Sequence, residues 1–283
     1  MNKIDVYYIN MDKSADRRER IERNFLECGF SENWTLNRVR AVTPADDVAK
    51  ERKTHTNPLL TANYLSHLEC LKRALDTDAH AFIVEDDTQF GKETEAYVDL
   101  ALAMFDDSEW DILYTDVYVG DATTMPKLLK LHRRLMRDGS VTAVEALKWE
   151  GGFGGAGAYI VNRKSKQKLL HAMDFHEHIV HAYDMVLKFY STHEVLNAFI
   201  AFPFLTSISD LGDASTVAPN DRDMRETVLF HYFRRMVWIG ADRRPESLEA
   251  LTEDLRKFDE STATPETRML AAILAPLLAI QLA

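Results

Sequence analysis

Apolar residues along the chain fall first into short runs and then into one-sided stripes. Residues 4–10 end in the run Val6, Tyr7, Tyr8, Ile9, the pattern of a strand covered on both faces. After a turn at 11–15, Asp16 opens a highly charged helix in which Ile21 and Phe25 form an i, i+4 stripe until Gly29 stops it. The alternation then repeats. A strand at 36–42, a polar loop at 43–58 and a helix with Tyr64, Leu65, Leu68, Leu71 and Leu75 on one face are followed by a short strand at 81–84. A helix at 96–105 and a strand at 110–117 come next. Residues 118–150 give no clean period, carry many basic side chains and read as an insertion with a helix at 128–136. Gly151, Gly152, Gly154, Gly155 and Gly157 then read as a loop that feeds a strand at 158–161. Helices at 164–173 and 184–190 and a strand at 198–202 complete the alternation, which predicts an α/β fold with a mostly parallel, doubly wound sheet.

Beyond residue 221 the pattern turns purely helical, and Gly, Ser and Pro thin out the periodicity at 213–220. The expected organisation is a domain at 1–220 with a helical C-terminal extension at 221–283. Val228, Phe233, Val237, Leu255 and the apolar run at 269–283 need a cover, either the main domain or a second subunit in a homo-oligomer.

Length fits this plan, since 283 residues suffice for one α/β domain plus an appendage. A net charge of −11 argues against a nucleic-acid partner, because phosphate binding is driven by clustered Lys and Arg. A local basic patch and peripheral membrane contact stay compatible with that charge. Cys28 and Cys70 both lie in helical segments and read as unpaired thiols of a reducing compartment. No apolar leader follows Met1, and the run at 269–283, interrupted by Pro276, is shorter than the roughly 20 residues a bilayer needs. The expected location is the cytoplasm.

The densest chemistry is Glu85-Asp86-Asp87 at the end of a buried strand. Ligands of open α/β sheets bind beyond the carboxyl ends of strands, and three adjacent acids repel unless a cation offsets them, which suits Mg²⁺ or Mn²⁺ bridging a diphosphate. Taken alone, the triplet reads equally well as a solvated acidic turn.

Four pieces occur in order: Tyr8 to Arg18 (YINMDKSADRR), Leu65-Ser66-His67, Phe82 to Asp87 (FIVEDD) and Gly154 to Tyr159 (GGAGAY). Together they resemble glycosyltransferase family 25, the lipooligosaccharide galactosyltransferases and collagen glycosyltransferase domains. The resemblance implies a GT-A type fold and a metal-dependent, inverting transfer of a hexose from a nucleotide-sugar donor, commonly a UDP-sugar, to a hydroxyl acceptor such as a lipooligosaccharide or other glycan. A non-catalytic sugar-binding module of the same fold is the alternative. The implied donor-binding residues are Asn10, Arg17, Ser66, His67, Glu85, Asp86, Gly154 and Gly155, with Asp87 and Glu85 at the metal. Asn63 and Tyr64 depart from the small residues expected before Leu-Ser-His. Asp184 is read either as the N-cap of its helix or as the general base that takes the acceptor proton, with Asp116 and Asp210 in reserve. His193 and His231 are further candidate ligands, more simply read as core or surface histidines.

Overall fold

The computed structural model describes residues 2–54, 56–121, 124–149, 152–174, 178–209 and 231–241. In chain order the elements are β1 (Ile4–Asn10), α1 (Ala15–Cys28), β2 (Trp34–Arg40), α2 (Asp47–Glu51), β3 (Lys53–Thr54), α3 (Pro58–Ala74), β4 (His80–Glu85), β5 (Thr88–Phe90) and α4 (Thr94–Leu102). There follow β6 (Ile112–Val119), α5 (Met125–Asp138), β7 (Thr142–Glu145), β8 (Phe153–Val161), α6 (Lys166–Asp174), β9 (His178–Ile179), α7 (Tyr183–Thr192), β10 (Ala198–Phe202) and β11 (Thr206–Ile208).

A seven-stranded sheet has the order β2-β1-β4-β8-β6-β10-β7. β1, β2, β4, β6 and β10 point one way, so the sheet is mostly parallel, while β7 and β8 run against them. Two of these strands differ from the sequence reading. β8 begins at Phe153, so Gly154, Gly155 and Gly157, read as loop, lie in its first half. β7 lies inside the region read as a patternless insertion and closes one edge of the sheet on β10. All four β7 residues are half-buried, which leaves no apolar alternation to detect.

Side chains alternate across the sheet as strand geometry requires. Ile4, Val6 and Tyr8 of β1 join Phe82 and Val84 of β4 on the face covered by α1 and α4. Tyr7, Ile9, Ala81 and Ile83 face the side covered by α3, α5, α6 and α7. Local signals set the helix ends. Gly29 stops α1 in the left-handed region at φ 69°, and Asn57 caps α3 by accepting the Leu59 N–H at 2.8 Å with Pro58 in the first turn.

The stretch 231–241, placed in the extension by the sequence reading, is helical at 231–236 and packs into both cores. Phe233, Met236, Val237 and Trp238 join the α3 side and Ile239 the α1 side. Phe204 N–H donates to Val237 O at 3.2 Å, and Ile239 N–H donates to Phe204 O at 2.9 Å. The Trp238 ring lies so close to Gly240 that a Cβ there would stand 2.6 Å from it. The other extension helices lie outside the described residues. Cys28 and Cys70 are both unpaired, and among the described residues no helix is long and apolar enough to cross a membrane.

His80 carries a testable consequence of this packing. It is buried beside Trp110, and its Nδ1 accepts the Arg163 N–H at 3.1 Å. Burial, followed by the charge of Arg163, lowers its pKa to about 4 from an ordinary 6.5. The unfolded chain therefore binds the extra proton first. Its contribution should be complete above pH 6.5 and fade as pH falls from 6.5 toward 4, by roughly 2 to 3 kcal/mol. Denaturant titrations of His80→Gln should show a shallower stability loss across that window than the parent protein; parallel curves would show that His80 does not titrate on unfolding.

Candidate active site

β1, β4 and β6 end at one edge of the sheet, and a cavity of about 640 Å³ opens there, a size suited to a small organic ligand. β8 runs the other way, so its glycine-rich first half lies at that same edge between β4 and β6. Gly154, Gly155 and Gly157 line the cavity with backbone alone. Gly155 has φ +84°, a conformation that side chains disfavour.

The acids that meet at this edge are each held differently. Glu85 accepts from Asn63 Nδ2 at 3.2 Å and faces His67 Nε2 at 3.7 Å. Burial pushes its pKa up, but the bonds and charges of His67, Asn63 and Arg234 together hold it below the ordinary value. Asp86 accepts from Asn10 Nδ2 at 2.8 Å and from Arg17 Nη1 at 2.9 Å. Burial still leaves its pKa raised. Asp87 has Arg17 Nη1 at 3.8 Å. Burial, then the charges of Glu85 and Asp86, raise its pKa to about 7.

Asp116, within β6, is buried and gripped at both oxygens by Arg234, Nε to Oδ1 at 2.8 Å and Nη2 to Oδ2. Burial raises its pKa against the opposing effect of Arg234 and His231. A carboxylate held in this way is poorly placed to take a proton from a substrate. Asp184 sits in the first turn of α7, whose N-cap is Ala182. The capping reading of Asp184 is therefore corrected: its Oδ2 instead accepts the Gly155 N–H at 3.3 Å, on the cavity wall.

Other sequence candidates are distributed around this centre. Arg17, Ser66, His67, Gly154 and Gly155 line the cavity, whereas Asn10 stands behind Asp86. Both functional atoms of the Asn10 amide are engaged, Nδ2 with Asp86 and Ser14 O and Oδ1 with Arg38 Nε. Its place is to hold Asp86. Ser66 Oγ donates to Ala62 O and accepts the Val42 N–H, pinning the wall. His67 is fully buried, stacks on Tyr183 at 4.2 Å and meets the Tyr159 hydroxyl at 3.2 Å through Nδ1. Among the described residues its Nε2 has no partner within 3.5 Å, Glu85 lying just beyond that at 3.7 Å. His193 is exposed and stacks on Phe189, while His231 lines the cavity. Asp210 lies outside the described residues.

Two residues were missed by sequence reasoning. Asn63 looked like a mere departure from a motif, yet it bonds Glu85. Arg234 had one detectable signal, a pair of arginines inside the apolar run from Phe233 to Val237.

Residues 3–187 match the family model described as Glycosyltransferase family 25 (LPS biosynthesis protein). The chain belongs to glycosyltransferase family 25. It is thus a glycosyltransferase, which binds a sugar donor and an acceptor. No curated protein matches this family 25 transferase. Among solved structures, mouse xyloside xylosyltransferase 1 in its apo form matches at 9% identity, over 68% of this chain and 70% of that one, with a TM-score of 0.31.

The arrangement around Asp86 predicts a measurable dependence. In Asn10→Ala, Asp86 loses one of two donors and Arg38 loses an acceptor, both close to the cavity wall. Denaturant midpoints should report a loss of about 1 to 3 kcal/mol. An unchanged midpoint would show that Arg17 alone satisfies Asp86.

Proposed function

We propose that the enzyme is an inverting, metal-dependent hexosyltransferase of GT-A type that uses a nucleotide-sugar donor, with a UDP-hexose as the first candidate, and acts in the cytoplasm on a lipooligosaccharide or other glycan. The observation that carries this reading is Asp87, a carboxylate crowded by two acids at a strand end beside the cavity, with its pKa raised to about 7. Burial is the largest cause of that rise, and the part that comes from Glu85 and Asp86 is negative charge that favours any cation placed there as well as a proton.

The donor set suits a hard divalent ion. Asp87 and Glu85 offer carboxylate oxygens, and among the described residues no group of three or more His, Cys, Asp or Glu is arranged to hold a metal. Carboxylate oxygens are the ligand type of Mg²⁺ and Mn²⁺, which keep several waters and can take remaining oxygens from substrate phosphates. When bound, such an ion neutralises the charge that grows on the departing diphosphate.

In the proposed reaction the acceptor hydroxyl oxygen forms a bond to the anomeric carbon as the bond from that carbon to the diphosphate oxygen breaks. The nucleoside diphosphate leaves with the bonding pair, and the hydroxyl proton passes to the Asp184 carboxylate. Asp184 is the preferred base because it lines the cavity with, among the described residues, only a long bond from Gly155, whereas Asp116 is gripped at both oxygens by Arg234.

The deciding experiment incubates the protein with Mn²⁺ and a panel of nucleotide sugars, with and without glycan acceptors. Transfer that requires both substrates is expected. Hydrolysis without acceptor would indicate a hydrolase, and binding without turnover a sugar-binding module. Asp87→Asn should abolish metal-stimulated transfer yet leave the fold intact; full activity in excess chelator would refute the metal. Asp184→Asn should keep donor affinity while turnover falls by roughly 10²- to 10⁴-fold, and near-normal turnover would remove Asp184 from the base role.

A further inference from the structure

The family match ends at residue 187, yet the stretch 231–241 supplies Arg234 and His231 to the cavity lining. We propose that Arg234 binds the diphosphate of the donor and that Asp116 is the residue that orients it. The proposal rests on the nucleotide-sugar reading above and extends it to a segment that the family match does not include.

The argument begins with the geometry of a guanidinium, which carries five N–H donors in a planar fork. Asp116 takes the edge formed by Nε and Nη2. Nη1 has no hydrogen-bond partner among the described residues, and the side chain, 11% exposed, forms part of the cavity wall. Among the described residues that end of the fork is left to whatever fills the cavity. A planar fork with an open edge recognises phosphate oxygens.

Charge points the same way. The other arginine beside the acid cluster, Arg17, is bonded to Asp86. Arg234 feels Asp87 and Glu85 as well as its own partner Asp116, so its charge lies within the field of the acids proposed to hold the metal. A diphosphate brought to those acids meets that cation.

Rigidity completes the case. Arg235 Nη2 donates to Ser209 O at 2.7 Å and its Nε to Ile208 O at 3.0 Å, while Val237 and Ile239 bond Phe204 on either side of its peptide. The backbone that carries Arg234 is therefore tied to β11 and to the sheet before any ligand arrives. A cation fixed in advance stabilises developing charge without reorganising.

Calorimetry on the full chain tests this directly, with UDP, GDP and ADP and their monophosphates as probes in the presence of Mn²⁺. Arg234→Gln would leave Asp116 buried and unpaired, so the double variant Asp116→Asn with Arg234→Gln is measured beside it. Arg234→Lys, which retains the ion pair but loses the fork, covers the case in which neither of those folds. The diphosphate bound by the parent protein should weaken by about 10- to 100-fold in each folded variant, as expected for a lost charge-assisted bond. The matching monophosphate should change by no more than about threefold, well under one such bond. Unchanged diphosphate affinity, or an equal loss for both nucleotides, overturns the proposal. If the parent protein binds no nucleotide, the nucleotide-sugar reading itself falls and takes this inference with it.

Discussion

Confinement of like charge at one sheet edge is the constraint around which the rest of the structure is arranged. Glu85, Asp86 and Asp87 stand at the end of β4 and Asp116 within β6 nearby, and burial raises the free energy of each ionised form. Compensation comes from a different part of the chain in each case. β1 and α1 bring Asn10 and Arg17 to Asp86, α3 brings Asn63 and His67 to Glu85, and 231–241 brings Arg234 to Asp116. Only Asp87 is left with a distant cation and a strongly raised pKa. The position least satisfied by the protein is the one best suited to a charged ligand.

The surroundings hold these groups in place by packing and by shape. Behind Glu85, the buried His67 ring stacks on Tyr183 and lies beside Tyr159, and the two tyrosine hydroxyls are 2.8 Å apart. These contacts fix the orientation of the ring that faces Glu85. Opposite, β8 runs between β4 and β6 with glycines at positions that line the cavity. One wall is thus rigid and crowded, and the other is bare backbone.

Much of this was legible in the sequence, for physical reasons that differ by element. β1, α1 and α3 carry full periods and clear end signals, so their residues announce both the element and its buried face. The acid triplet could be placed because it ends a run of buried strand residues. The first half of β8 was misread because glycine lacks the side chain that carries a strand pattern, and β7 because an edge strand of half-buried residues has none to show. β5 and β11, three residues each, are too short for any period. Asn10 was found by its motif but assigned to the ligand, since a sequence cannot say which side of a carboxylate an amide occupies. Arg234 pairs across 118 positions with Asp116, a contact that only the folded chain defines.

The Trp238 indole lies between Gly91 and Gly240, and a Cβ on Gly240 would come within 2.6 Å of it. Residue 240 touches neither the acids nor the cavity lining, yet the indole it accommodates seats the stretch that delivers Arg234. Any side chain there would have to displace that ring. A substitution at this position would unseat Arg234 from Asp116, although nothing in the site had been altered.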